Sequence, residues 1–296
     1  MAKVYIYSTK LPNCFTPLSL PISYNNNRTV AGLKYDSSAY PMEFGGAVYG
    51  VYNSDTFYRD RRDYGFEGYV NYPFLAKGYW RGSSKLAYTK AYDSINREPL
   101  TLSLDVYNFK QFGISKYANT LKALSLFASK DRDSNSFGLS YRWEHDMFWQ
   151  SYIGFKGDYL KSDNVDVFLE KGIELSNTFS NLQSDRSAVN IPTFSHTAYA
   201  KEVKVAEISL KKVFDGSIYN YSLPLSLQRE SIYFKQRLYD VDFTDKINKK
   251  YNESVLGLET DLLFLHKIPV PMTLEYLYNP DIKDKEQFHF LFGVHF

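Results

Sequence analysis

Few residues in this sequence have the types and spacing needed for catalysis or metal binding. None of the five histidines lies four residues from a glutamate, and no His/Cys group has metal-ligand spacing; they are His145, His196, His266, His289 and His295. There is no Gly-x-Ser-x-Gly elbow, phosphate-binding loop or dinucleotide fingerprint. We therefore predict no catalytic, cofactor-binding or metal-binding residue, no cofactor, and a protein that is not an enzyme.

The same residue types support three further statements. Ser, His and Asp residues that are distant in sequence can form a hydrolytic triad that no short motif reveals, so a barrel-embedded hydrolase stays an alternative. The single cysteine, Cys14, excludes an internal disulfide framework. His289 and His295 are expected to line a polar interior.

Charged residues recur opposite rows of apolar residues. Successive side chains of a strand point to opposite faces, and residues 137–144 place Phe, Leu, Tyr and Trp on one face and Gly, Ser, Arg and Glu on the other. In a soluble sandwich the apolar rows would form the core; in a membrane barrel they would face lipid and the charges a wet lumen. The residues predicted on the lumenal face are Arg81, Lys85, Arg142, Glu144, Lys156, Asp158, Glu259 and Asp261.

Period-two patterning recurs from Thr29 onward and predicts about fourteen strands, or about sixteen if residues 1–28 supply two. Residues 1–28 are interpreted as an N-terminal linker or edge strands, and residues 29–296 as one β domain. A strand is expected at about 164–173, and a β-bulge within 222–242, where the apolar phase shifts. The polar stretch 176–196 is the longest predicted loop.

The last eleven residues carry the clearest pattern. One face of this segment holds Phe288, Phe290, Phe292, Val294 and Phe296, and a barrel strand crosses a membrane in about 9–11 residues. The segment resembles the C-terminal strand of bacterial outer-membrane proteins, which finish on an aromatic residue, usually Phe. That resemblance implies an antiparallel transmembrane β-barrel of about 14–16 strands, and it makes these five residues the signal read by the barrel-assembly machinery.

Composition agrees with this interpretation. Aromatic residues make up 18% of the chain, with 27 Tyr and 22 Phe, which suits the aromatic girdles of a barrel. No run of about 18 apolar residues is present to form a membrane helix. A net charge of +2 with 23% charged residues excludes a polybasic nucleic-acid binder.

A more particular resemblance covers residues 253–296. Glu259, the hairpin over residues 268–279 and the Phe-rich closing strand are similar to the end of the surface-antigen family of barrel-assembly insertases and two-partner secretion transporters. The counterpart of that family's Arg-Gly-Tyr loop motif is Arg237-Leu238-Tyr239, with Leu in place of Gly; it makes Arg237 a further lumenal candidate. The chain is also similar to barrels that follow TolB-like propellers.

The predicted function is therefore an outer-membrane β-barrel that serves as a membrane anchor, pore or translocation channel in a Gram-negative bacterium. The start of the chain lacks a signal peptide, so we expect the C-terminal part of a longer exported protein. Its expected partners are outer-membrane lipids, the barrel-assembly machinery and a periplasmic N-terminal domain or partner. A soluble all-β surface or binding protein is the alternative. Counting strands back from a periplasmic C-terminus places connection 54–62 on the periplasmic side.

Overall fold

The computed structural model describes one sheet of eighteen strands. The residues that it describes are 9–10, 18–20, 22–24, 28–37, 42–53, 62–92, 98–111, 119–132, 134–163, 172–176, 188–194, 198–220, 225–245, 247–264 and 268–292. Within these ranges the regular secondary structure is entirely β, which confirms the all-β antiparallel prediction. In the same part of the chain, no helix is long and apolar enough to cross a membrane.

The strands follow one another along the chain with short connections between most of them. Their bounds are β1 Thr9–Lys10, β2 Leu18–Leu20, β3 Ile22–Tyr24, β4 Arg28–Ser37, β5 Glu43–Asn53, β6 Arg62–Lys77, β7 Trp80–Tyr92, β8 Leu100–Lys110, β9 Thr120–Lys130, β10 Asn135–Asp146, β11 Ser151–Ser162, β12 Ile173–Ser176, β13 Ala188–Asn190, β14 Ala198–Asn220, β15 Leu225–Phe243, β16 Asn248–Phe264, β17 Ile268–Tyr278 and β18 Glu286–Phe292.

Each long strand pairs antiparallel with the next long strand in sequence, in an unbroken series from β4 to β18. Strands β2 and β3 both pair with β4, opposite Tyr35 and Ala31 respectively, so they act as one interrupted strand. Thirteen of the described strands have at least seven residues. With the β2–β3 strand they make fourteen, within the predicted range.

The sheet exposes rows of large apolar side chains on one face, and its other face is buried, with polar residues in β7 and β8 and both polar and apolar residues in β14–β16. In β8, Leu102 is 48% exposed, whereas its neighbours Thr101 and Ser103 are 4% and 2% exposed. The same alternation recurs in β7, where Leu86 is exposed and Lys85 buried. Period-two patterning predicted which residues share a face, but it did not predict which face is covered.

The predicted bulge in 222–242 is confirmed. The register of β15 against β16 shifts between Gln228 and Ser231, and β14 shifts against β15 between Phe214 and Ser217. One extra residue moves the following side chains to the other face. The apolar row therefore continues on the exposed side with Ile232 and Phe234.

The connection after β11 differs from the prediction. Strand β11 pairs directly with β14, while short β12 lies parallel to β13 and antiparallel to the start of β14. Of the strand expected at about 164–173, the structure describes only the end, where Ile173 begins β12. Counting it as a strand of the main sheet between β11 and the next long strand was wrong, because β11 pairs directly with β14. The remainder, 164–171, lies outside the described residues.

The extra strand in the count also reversed the predicted side of the sheet for one connection. An odd number of full-length strands, β6–β11 and β14–β18, follows residues 54–61. Because consecutive strands run antiparallel, this connection lies on the side of the sheet opposite the C-terminal end of β18. The placement predicted for it was on the same side, because the sequence count included one strand too many.

Candidate functional site

The polar face of β14–β16 carries a charged network centred on Arg237. Glu207, Arg237 and Glu253 lie directly opposite one another on three adjacent strands. The Arg237 guanidinium donates from Nε to Glu207 Oε2 at 2.5 Å and from Nη1 to Glu253 Oε1 at 2.9 Å. Glu253 is fully buried, so its charge depends on these donors for compensation.

A short inward segment supplies a further donor to the same carboxylate. Thr193 is 1% exposed, and its hydroxyl donates to Glu253 Oε2 at 2.8 Å. Asn279 Nδ2 donates to Thr193 Oγ1 at 2.9 Å, and Gln287 Nε2 donates to the Thr193 carbonyl at 2.8 Å. A single residue of this segment is thus bonded to β16, to the end of β17 and to β18.

The same segment is held by apolar contacts. Ile191 and Phe194 are buried in a cluster with Val203, Val241 and Tyr251, and the Phe194 and Tyr251 rings meet edge to face at 5.4 Å. The sequence predicted an irregular loop here because Asn, Ser and Asp dominate residues 176–196. Residues 188–190 form β13 instead, and no pattern in the sequence indicated that Ile191 and Phe194 pack inward.

Further along the network, Tyr233 reaches across a neighbouring strand. Gly257 lies opposite Tyr233 on β16, and Glu275 lies opposite Gly257 on β17. A Cβ atom at Gly257 would overlap the tyrosine ring; with no side chain there, the Tyr233 hydroxyl donates to Glu275 Oε1 at 2.6 Å. The Lys235 ammonium lies 4.4 Å from the centre of the Tyr233 ring, within cation–π range.

The other half of the sheet repeats this arrangement. Tyr69 of β6 lies across Gly45 of β5 and donates to Asp36 of β4. Lys85 lies 4.2 Å from the centre of the Tyr69 ring. In both places a glycine in the middle strand lets one aromatic side chain link three strands.

A cavity occurs on each face of the sheet. The outer cavity has a volume of about 660 Å³, and the inner cavity, of about 590 Å³, lies beside the Arg237 network. Its lining includes Ser125 of β9, Lys156 of β11, Arg237 of β15 and Glu275 of β17. Strands β9 and β17 are six neighbours apart, which in a flat sheet is about 29 Å at roughly 4.8 Å per strand. Lining one cavity from both requires a strongly curved sheet.

Five of the nine residues predicted on the lumenal face lie on the polar face of β11, β15 and β16. They are Lys156, Asp158, Arg237, Glu259 and Asp261. Arg237 is the centre of the network, Lys156 pairs with Asp158 at 2.8 Å, and Glu259 accepts from Lys211 at 3.3 Å. Asp261 is 9% exposed. The structure thus brings Lys156, Asp158 and Arg237 to one cavity.

The other four are spread over the sheet. Lys85 is buried beside Tyr69. Arg142 pairs with Glu144, two residues along β10, and the Arg142 side chain is 54% exposed. Arg81 donates to the Gly78 and Trp80 carbonyls at 2.6 and 2.8 Å, so it caps the turn between β6 and β7.

Sequence reasoning missed Glu207, Glu253, Thr193 and Asn279. Glu207 shares its face with Val203 and Val205, both buried, so its row does not look polar in sequence. Glu253 and Asn279 stand at positions that become opposed only through the register of β15–β17. No short-range signal connects these residues.

The predicted assembly strand is described in part. Phe288 and Phe290 are 63% and 37% exposed, and His289 between them is buried, with Nε2 3.2 Å from Gln287 Oε1. Phe292 ends β18. Val294 and Phe296 lie outside the described residues, as do His196, His266 and His295.

Among the described residues, no group of three His, Cys, Asp or Glu side chains could hold a metal ion. Comparison with models of known protein families finds no match, and comparison with curated proteins finds no match either. The resemblance to the surface-antigen family therefore stays a prediction.

Proposed function

We propose that this chain forms a transmembrane β-barrel in the outer membrane of a Gram-negative bacterium, where it serves as an anchor, pore or translocation channel. One observation carries the proposal: rows of large apolar side chains are exposed, while the opposite face is buried although it carries many Thr, Ser, Lys and Glu side chains. A soluble sandwich packs its apolar rows inside, whereas a membrane barrel presents them to lipid. Leu104, Leu126 and Leu139 lie in one such outward row across three strands.

The burial of the polar face supports closure of the sheet. Glu67, Thr101, Ser103 and Glu253 are at most 4% exposed, yet the described strands all belong to one sheet. A single layer buries one of its faces only by curving around it. The cavity shared by β9 and β17 supports the same geometry, and we propose that β18 completes the ring beside the N-terminal strands.

The distribution of exposed aromatics also supports the membrane assignment. Tyr52 and Tyr64 stand at strand ends on one side of the sheet, and Tyr79, Trp80 and Phe109 at strand ends on the other, all exposed. Leucines fill the middle of β8 and β9. Aromatic girdles that flank an apolar band are typical of outer-membrane barrels.

The contents of the polar side narrow the choice among the three roles. Segment 188–194 and the Arg237 network occupy the interior against β14–β18. Space filled by side chains and an inserted segment is closed to diffusion, so the proposal favours an anchor or a narrow pore over a wide channel. Conductance of the purified protein in planar bilayers measures this directly, and a large, permanently open conductance would contradict it.

The membrane proposal is tested by refolding the full chain into lipid vesicles and comparing its gel migration with and without heating. A folded barrel migrates differently from the heated chain. In this background, Leu126→Arg places a charge in the middle of the outward face and is expected to cost about 2–4 kcal/mol of unfolding free energy, whereas Tyr64→Arg near a strand end should cost about 0–1 kcal/mol.

A soluble all-β protein gives different results. It would stay in solution without detergent or lipid and show no heat-dependent migration, and the cost of either arginine would not depend on the presence of lipid. Either an arginine cost that is independent of lipid or lipid-independent folding would sink the membrane proposal.

A further inference from the structure

A trough crosses the outward face over five adjacent strands. Leu86, Leu102, Ala128, Phe137 and Lys161 lie directly opposite one another in a single row from β7 to β11. Ala128 is the small member between the large side chains of Leu102 and Phe137. The space above its methyl group belongs to a groove of about 660 Å³.

The walls and the end of this trough differ in chemistry. The walls are formed by Leu86, Leu100, Leu102 and Phe137, and the end is formed by Lys130 and Lys161. Apolar walls with two cationic groups at one end match a molecule with an alkyl chain and an anionic head.

The two lysines keep their charge available. Lys130 has no ion pair among the described residues, and Lys161 Nζ is 3.9 Å from Glu202 Oε2, a long separation for an ion pair. Asp163 also lines the groove, but its two oxygens accept from the Asn135 backbone and side chain at 2.6 and 2.7 Å. Each oxygen of this carboxylate therefore already accepts a hydrogen bond from Asn135.

We propose that the trough binds a phosphorylated acyl lipid, with one acyl chain over Ala128 and the phosphate between Lys130 and Lys161. The inference rests on the proposed membrane barrel and adds the lipid class and its site. The lysines lie on the side of the sheet opposite the C-terminal end of β18, so the lipid belongs to the leaflet on that side. Cationic groups at a membrane surface attract anionic headgroups.

The test is native mass spectrometry of the refolded full chain in a nonionic detergent, titrated with phosphatidylglycerol or with zwitterionic phosphatidylcholine. The wild type should retain phosphatidylglycerol more tightly. Each lysine near a membrane surface contributes about fivefold to binding of an anionic lipid. The Lys130→Gln/Lys161→Gln variant should therefore lose about 25-fold in phosphatidylglycerol affinity and little in phosphatidylcholine affinity.

Two further variants separate the parts of the site. Lys122→Gln is the matched control, because Lys122 lies on the same strand and the same exposed face at its other end; it should leave the preference unchanged. Ala128→Leu fills the trough without changing charge and should weaken retention of both lipids.

The results distinguish this site from the fold. A wild type with heat-dependent migration but equal retention of both lipids, or a double variant that keeps the full preference, overturns the lipid site and leaves the barrel. Loss of heat-dependent migration in the wild type overturns both. Should Ala128→Leu fail to fold, the double glutamine variant still decides the question.

Discussion

The two halves of the sheet share the tyrosine-over-glycine arrangement but differ in what else fills their polar sides. Strands β4–β8 use their own side chains: Tyr69 lies across Gly45, and Thr101 shares a hydrogen bond of 2.8 Å with Ser129 of β9. Strands β14–β18 use an inserted segment, whose Thr193 is bonded to three places along that half. The polar side of the first half is filled by residues of its own strands. That of the second half is also filled by a segment of the connection between β11 and β14.

This difference indicates where the interior is most sensitive to substitution. A substitution of Thr101, in the first half, removes one side-chain hydrogen bond, the bond to Ser129. A residue of the Arg237 network is shared among several strands, and removal of its arginine leaves carboxylates of the interior without their cation. We therefore expect the same type of substitution to cost more in the second half than in the first.

The largest effect is expected from Arg237→Met. This change leaves Glu207 and buried Glu253 without their cation, and breaking a buried pair by removing one partner costs about 3–5 kcal/mol. Urea unfolding of the protein refolded in lipid vesicles measures the loss. The triple variant Arg237→Met/Glu207→Gln/Glu253→Gln should recover much of it, and no recovery would show that the charges are not the cause.

The next largest effect is expected from Gly257→Val. The new side chain would displace the Tyr233 ring and break its hydrogen bond to Glu275, at a cost of about 3 kcal/mol from overpacking and the lost bond to a charged group. Gly68→Val is the control, since nothing lies within 4 Å of a Cβ atom at Gly68. It should stay within about 0.5 kcal/mol of the wild type; equal losses would refute the role of the glycine.

Thr193→Val tests the inserted segment with a side chain of nearly the same shape. It removes the donor to Glu253 Oε2 and the acceptor for Asn279, so a loss of about 1–3 kcal/mol is expected. Cleavage of the 176–198 connection by added protease should become faster. Thr101→Val, in the first half, should change unfolding less and leave that cleavage rate unchanged.

The smallest effect is expected from Arg142→Met. Its partner Glu144 lies on the same strand, and the Arg142 side chain is 54% exposed, so the pair contributes about 0–1 kcal/mol. Urea unfolding measured beside Arg237→Met checks this. A loss as large as that of Arg237→Met would show that the buried, shared Arg237 network is no more sensitive to substitution than an exposed pair on one strand.

Local patterns in the sequence predicted much of the sheet. The alternation in 100–106 and 137–144 predicted β8 and β10, and the phase shift in 222–242 predicted the bulge of β15. These features depend on neighbouring residues alone, so period-two reasoning is sufficient for them.

What could not be predicted depends on register and on long-range packing. Arg237 was singled out, but its partners Glu207 and Glu253 are opposed to it only by the pairing of three strands. The sequence count placed a strand at 164–173 in the main sheet, but β11 pairs directly with β14, and this long-range pairing is not visible in local patterns. That error alone moved connection 54–61 to the wrong side.

The bonding of Thr193 has a consequence for the order of folding. Its three partners, Glu253, Asn279 and Gln287, follow it by 60, 86 and 94 residues along the chain. Contacts between residues this far apart form late, because the loop-closure entropy must be overcome before they stabilise the fold. The inserted segment therefore reaches its final bonding only when β18 is in place, so the last strand in sequence also completes the hydrogen bonds of the interior.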